Sequence, residues 1–292
     1  MTENKETSKG NMHIFDELKA ALKTNFQREL FDGALMSLRA VGNPLRLNNF
    51  STAIRELVRD LFDHLAPNEQ IKQCSWYVPD PTSATGVTRG HRVSYVIHGG
   101  ISPAFAQDDL QIDVTSERKR LTEVVNTLSK FTHVTINTFN TPSDDVDKYG
   151  ADACTALLGV LIAADEARQT LVEAIQEQVE EDVVQAVISE TVMSVDEIAT
   201  HHCIDEVELD LIEVVSIDAK EIQFIAHGSI CVELQWGSNS DVRNDMGAIM
   251  NENFPLSMKF SSSVASPSEV TAVENSLSVD TSDWYDDYYD EE

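Results

Sequence analysis

The spacing of apolar residues changes once along this chain, and that change limits its fold more than any other feature. Up to about residue 192, apolar side chains recur every three or four positions, as on the buried stripe of a helix. Ile14, Leu18, Ala21 and Leu22, then Phe26, Leu30 and Phe31, begin the pattern, and Gly42-Asn43-Pro44 interrupts it. Ile54, Leu57, Val58, Leu61, Phe62 and Leu65 share one stripe, which predicts a helix over 54–65, with Asn49 or Ser51 as cap and Pro67 beyond its end. The segment 74–87, with two prolines, reads as loop. Helices are expected over 88–98, stopped by Gly99-Gly100, and over 116–132. Residues 150–192 read as a long helix or a helical hairpin, and Ser194 with Glu197 fits a capping box. The period then falls to two. Val207, Leu209 and Leu211 alternate with Glu208 and Asp210, and Ile222, Phe224, Ala226 and then Ile230, Val232, Leu234, Trp236 continue as strands, with Gly228 at a turn. Residues 254–260 form one more candidate strand.

The expected fold is therefore α+β, with an all-helical N-terminal part, a helical segment and a small antiparallel β-rich C-terminal domain. A length of 292 residues agrees with roughly two domains. The expected divisions are a disordered leader (1–11), a helical domain (12–140), an acidic helical connector (141–193), a β-rich accessory domain (194–262) and an acidic disordered tail (263–292).

Charge divides along similar lines. Residues 1–140 hold sixteen Lys and Arg against sixteen Asp and Glu; of the 21 basic and 50 acidic residues in the chain, five and 34 remain for 141–292. The whole formal charge of −29 thus sits in the second part. It argues against a polyanionic ligand there and not in the neutral first part. The longest apolar run, 156–164 (ALLGVLIAA), is too short to span a bilayer, so no membrane partner is expected. The polar N-terminus lacks the apolar stretch of a secretory signal. Cys74, Cys154, Cys203 and Cys231 form no CxxC, and a reducing cytoplasm with free thiols is the expectation.

Chemistry has several candidate seats. Arg59-Asp60-Leu61-Phe62-Asp63-His64 fits R-[N/D/H]-x-x-x-H and resembles the active-site motif of HEPN-type ribonucleases, an all-helical family. The resemblance implies metal-independent RNA cleavage, often where two copies meet. An imidazole titrates near neutral pH, so His64 could move a proton at the ribose; Arg59 could hold phosphate charge, and Asp60 lies one turn before His64 to orient it. Five residues of helix separate Arg59 from His64 by about 140°. One site therefore uses both only if the helix end deforms or a second copy completes it. Arg55 and Glu56 precede Arg59 and Asp60 by one turn, and this face could equally be solvated and self-paired. The stretch 81–107 holds no acidic residue but contains Arg89, His91, Arg92 and His98, with Tyr95 as a candidate for base stacking. Arg118-Lys119-Arg120 adds a second basic cluster, and His133 closes the 116–132 helix as a dipole partner or a second catalytic imidazole.

Weaker signals lie further on. His201-His202-Cys203 has metal-ligand composition, but adjacent ligands suit one tetrahedral ion poorly, so no metal or cofactor is expected. Asp218-Ala219-Lys220 is a D-x-K fragment of the kind found in metal-dependent nucleases, in the half where a polyanion is repelled. The loop 237–245 could bind a ligand or simply turn a hairpin. No phosphate-binding glycine loop or G-x-S-x-G elbow occurs.

Longer words carry a second resemblance. Asn43-Pro44-Leu45-Arg46-Leu47-Asn48-Asn49-Phe50 leading into Ile54-Arg55-Glu56-Leu57, then Leu65-Ala66-Pro67, Cys74-Ser75-Trp76, Gly99-Gly100 and Lys130-Phe131-Thr132-His133, form the first block. Val232-Glu233-Leu234-Gln235-Trp236-Gly237-Ser238-Asn239-Ser240-Asp241 with Phe254-Pro255 forms the second. Over about 40–262 the chain resembles the predicted pPIWI-associating nucleases of prokaryotic conflict systems. That resemblance implies a nuclease effector of anti-phage defence and makes Arg55, Glu56 and His133 rivals to Arg59 and His64. The reading is a nuclease acting on RNA rather than DNA, with a defence partner protein and a homodimer as candidate associations. The alternative is a non-catalytic partner-binding or regulatory protein.

Overall fold

The computed structural model describes residues 13–111, 114–189 and 193–286. The expected leader and the end of the expected tail lie outside them. The fold is α+β, in two compact units, Met1–Arg168 and Gln169–Glu292.

The first unit is helical. A helix over 13–21 (α1) is followed by α2 (Asn25–Arg39), α3 (Arg46–Leu65), α4 (Asn68–Ile71), α5 (Arg89–His98), α6 (Pro103–Asp108), α7 (Val114–Phe131) and the start of α8 (Ser143–Ser189). Thr24 separates the first two helices with a capping box to Gln27, which satisfies the first amides of α2. α3 begins earlier than the sequence predicts. The Asn43 side chain accepts from the Leu45 amide at 2.9 Å and starts the turn, so Asn49 and Ser51 lie inside the helix and Ser51 is fully buried. Leu47, Phe50, Ile54, Leu57 and Leu61 make the buried stripe of α3, which packs on α2, α5 and α7. Asn48 Nδ2 donates to the Phe131 carbonyl at 2.7 Å and ties α3 to the end of α7. The segment 74–87 holds no helix or strand, as expected.

α8 is one unbroken helix of 47 residues, not a hairpin. Beyond Arg168 its buried stripe is Leu171, Ile175, Val179 and Val183. It belongs with an antiparallel five-stranded sheet: β1 (His201–Ile217), β2 (Glu221–Trp236), β3 (Ala248–Ser263), β4 (Thr271–Ala272) and β5 (Ser278–Val279). Gln178 Nε2 donates to the Val270 carbonyl at 2.9 Å. Alternate residues of β2 (Ile222, Phe224, Ala226, Ile230, Val232, Leu234) and of β3 (Phe254, Leu256, Met258, Phe260) are buried.

Three local expectations are corrected. Gly228 is not a turn: β2 runs through it, and a Cβ there would meet the Glu208 carbonyl oxygen of β1, beside the register shift at Leu209/Leu211. Ser194 does not close a capping box: it lies inside the short helix α9 (Met193–Asp196), the Glu197 amide donates to the Met193 carbonyl at 3.2 Å, and the Ser194 hydroxyl donates to the Val279 carbonyl at 3.2 Å. The stretch from 263 is not wholly a tail: β4 and β5 both pair with β3. The loop 237–245 turns the β2–β3 hairpin, one of its two expected readings, and contains a short helix α10 (Asn239–Arg243) with Ser238 and Asp241 as its capping box.

Candidate nucleic-acid interface

α3, α5 and α7 bring together residues that the sequence treats as separate groups. Arg55 on α3 donates from Nη1 to Thr132 Oγ1 at 3.2 Å, just past the end of α7. Arg89, in the first turn of α5, donates from Nη1 to Asn126 Oδ1 of α7 at 3.4 Å. Both partners are neutral, and neither arginine has an ion pair among the described residues. Arg89 is partly buried, which lowers its guanidinium pKa, and the Arg55 charge lowers it further. Two cations thus stand close enough to repel each other with no carboxylate between them. His133 follows Thr132 directly; its side chain is exposed, and its carbonyl accepts from Thr138 Oγ1 at 2.9 Å, which fixes the turn that presents it.

One turn further along both helices, charge is cancelled instead. Arg59 Nη2 pairs with Glu56 Oε2 at 2.8 Å and its Nη1 with Asp63 Oδ2 at 3.7 Å. The hydrogen bond and charge of Glu56 raise the Arg59 pKa. Arg92 pairs with Asp63 Oδ1 at 2.8 Å and donates to Asn68 Oδ1 at 3.0 Å. Asp60 turns the other way and accepts from Gln27 Nε2 of α2 at 3.0 Å. His64 Nδ1 lies 2.8 Å from the Asp60 carbonyl oxygen and 3.6 Å from Asp60 Oδ2. Arg59 and His64 therefore have different partners on different sides of α3. Because a carbonyl only accepts, Nδ1 donates and Nε2 is the nitrogen left to accept.

His91 caps α5 through Nδ1, which accepts from the Thr88 amide at 3.2 Å; burial first, then the Arg118 charge, lowers its pKa. Arg118 lies against Gly90 on the α5 backbone, while Lys119 and Arg120 are exposed on α7. Tyr95 is a correction. It falls within the buried run 93–98 of α5 and is only 7 % exposed, so its ring offers no face for base stacking. The neutral partners Asn126 and Thr132 escaped the sequence reading, since nothing in a single sequence distinguishes a polar residue that receives an arginine from one that faces water.

The second-half candidates are engaged structurally. His202 Nδ1 pairs with Asp196 Oδ1 at 3.1 Å. Asp218 Oδ1 accepts from the Lys220 and Glu221 amides at 2.7 and 2.8 Å, closing the β1–β2 turn. Among the described residues no group of three His, Cys, Asp or Glu side chains is arranged to hold a metal ion. No helix among them is long and apolar enough to cross a membrane.

Two family models match the chain, over residues 19–157 and 164–285, and both are described as "Predicted pPIWI-associating nuclease". The chain belongs to the predicted pPIWI-associating nucleases. The first model of this family spans the helices that carry Arg55 and Arg89 and the turn that carries His133, and the second spans the sheet. No curated protein and no solved structure matches the chain.

Proposed function

We propose that this pPIWI-associating nuclease cleaves single-stranded RNA, with the scissile phosphate seated on Arg55 and Arg89 and with His133 as the proton-transferring group. The observation that supports this reading is that Arg55 and Arg89 each bond a neutral partner beside α7, without an ion pair among the described residues, and that the Arg55 charge reaches Arg89. An anion relieves that repulsion, and a phosphodiester gives both groups charge-assisted hydrogen bonds. His133 then takes the proton of the ribose 2′-hydroxyl. The 2′-oxygen attacks phosphorus, the P–O5′ bond breaks to leave a 2′,3′-cyclic phosphate, and the departing 5′-oxygen takes a proton from water. The arginines stabilise the charge that builds on the phosphoryl oxygens. The chemistry uses a 2′-hydroxyl, so RNA is the substrate and DNA is not. In this reading the protein is an effector of a conflict system, and a partner protein of that system governs when it acts.

A second reading places the reaction at His64, whose Nδ1 is held by the Asp60 carbonyl so that Nε2 is left to act. It needs a second copy of the chain to supply the arginine. Incubation of single-stranded RNA with the protein in EDTA separates the two. Cleavage that falls by about 10²-fold or more in His133→Ala and persists in His64→Ala fits the first reading. Loss in His64→Ala alone would move the site to α3, and loss in EDTA would remove both.

A further inference from the structure

The turn that follows α7 inverts the usual placing of side chains. Within residues 133–140 the polar Thr138 is buried, while Val134, Ile136 and Phe139 are 58, 93 and 50 % exposed. Exposed apolar side chains grouped so closely form a patch, and such patches mark binding surfaces. The turn is also firmly held. Thr138 Oγ1 accepts from the Thr135 amide at 2.8 Å and donates to the His133 carbonyl at 2.9 Å. The Phe139 amide donates to the Thr135 carbonyl at 2.9 Å, and the Asn140 amide to the Pro44 carbonyl, just before α3, at 3.0 Å. The apolar side chains therefore stand on a fixed backbone, which lowers the cost of ordering them on a ligand. The chain around them carries no negative charge. Residues 124–143 contain Lys130 and no Asp or Glu, and Thr132, at the head of the turn, takes the guanidinium of Arg55.

A ligand for this patch must suit cations and apolar side chains together. In the reading above, His133 takes the proton of a ribose 2′-hydroxyl, and the present inference rests on that reading. The base of the same nucleotide hangs from C1′, the carbon bonded to C2′, so it lies beside whatever reaches the 2′-oxygen. The apolar side chains nearest His133 along its turn are Val134, Ile136 and Phe139. Tyr95 is buried, and of the described aromatic side chains in the helical unit Phe26 and Phe139 are the exposed ones; Phe139 is the one that shares the turn with His133. A base offers an apolar face to an exposed ring whatever its identity. In a duplex both faces are covered by the neighbouring bases. We propose that the turn 133–140 is a base platform, on which the base of the attacked nucleotide rests against Phe139 and Ile136. The platform selects for an unpaired strand and not for a sequence.

The test is binding of the full chain to labelled single-stranded DNA, followed by fluorescence anisotropy. Such a strand keeps phosphates and bases but lacks the 2′-hydroxyl, so it is bound without being cut. Phe139→Ala with Ile136→Ser is expected to weaken binding about tenfold or more. The same double change is expected to leave affinity for an abasic strand of equal length, and for a duplex, at the wild-type value. The slope of log K against log salt should also stay as in wild type, because a base carries no charge. Undiminished affinity for the base-bearing strand, or an equal loss with the abasic strand or the duplex, would overturn the proposal. A variant that keeps its affinity but sediments at a lower mass than wild type assigns the patch to a contact between copies of the chain, and overturns it too. Cleavage assays separate this inference from the reading beneath it. RNA cleavage lost in His133→Ala, with DNA affinity intact in the Phe139 and Ile136 variant, removes the platform alone. Cleavage that persists in His133→Ala removes the reading of the site.

Discussion

Four arginines on two helices illustrate how much a neighbour decides. Arg59 and Arg92 share Asp63, and Arg59 has Glu56 as well, so their charge is cancelled locally. Such exposed pairs contribute little to stability. Arg55 and Arg89 have only Thr132 and Asn126. Their charge remains available to a ligand. His98 makes a different residue-level prediction. Its folded pKa of about 4 lies below the ordinary 6.5, so between these values the unfolded chain takes up a proton that the folded chain does not. Stability therefore falls as pH drops from 6.5 towards 4, by up to about 3 kcal/mol from this residue, and is unaffected by it above 6.5. Urea unfolding across that window checks this: the wild-type curve should fall relative to His98→Gln, and parallel curves would contradict it. The residue types at the site were legible in the sequence, since Arg55, Arg89 and His133 all stand out there. Their meeting was not, because it depends on how three helices pack over separations as long as the 77 positions between Arg55 and Thr132.

At the scale of elements, the helical stripes and the strand alternation reported the fold class well, because both are direct readings of which face is buried. The failures share a cause. Gly228, Ser194 and the stretch past 263 each look like local punctuation but are fixed by a strand distant in sequence. Gly228 is needed for the close approach of β2 to Glu208 and Leu209. Gly228→Ala is therefore expected to cost about 1–3 kcal/mol, measured by urea unfolding, with faster amide exchange in β1 and β2. Unchanged exchange there would contradict the close-approach argument. In the helical unit, Asn48→Ala removes the bond to the Phe131 carbonyl and leaves that oxygen buried. The expected cost is about 1–3 kcal/mol, and a thermal midpoint equal to wild type would contradict it. β1 lies at the edge of the sheet, where bulges and the acidic Asp205, Glu206, Glu208 and Asp210 discourage pairing with another strand.

For the whole molecule, the distribution of charge matters more than its sum. The net −29 belongs to residues 141–292, and the proposed phosphate seat belongs to residues 1–140, which carry no net charge. Glu177, Glu180, Glu181 and Asp182 concentrate negative charge on α8. Replacing them with Gln and Asn is expected to raise the rate of RNA association several-fold at low salt. The gain should fade by about 0.15 M, where the screening length is about 8 Å. Stopped-flow rates that do not respond would show that the acidic half has no part in steering. The central claim is that Arg55 and Arg89 are the pair held ready for phosphate, and the salt dependence of RNA binding tests it most directly. By fluorescence anisotropy of a labelled single strand in rising KCl, Arg55→Gln with Arg89→Gln should make the slope of log K against log salt shallower by about 1.4, two phosphate contacts on a single strand. Arg59→Gln, whose charge Glu56 and Asp63 already cancel, should leave the slope near wild type. A slope unchanged in the double variant, or changed as much by Arg59→Gln, would contradict the account.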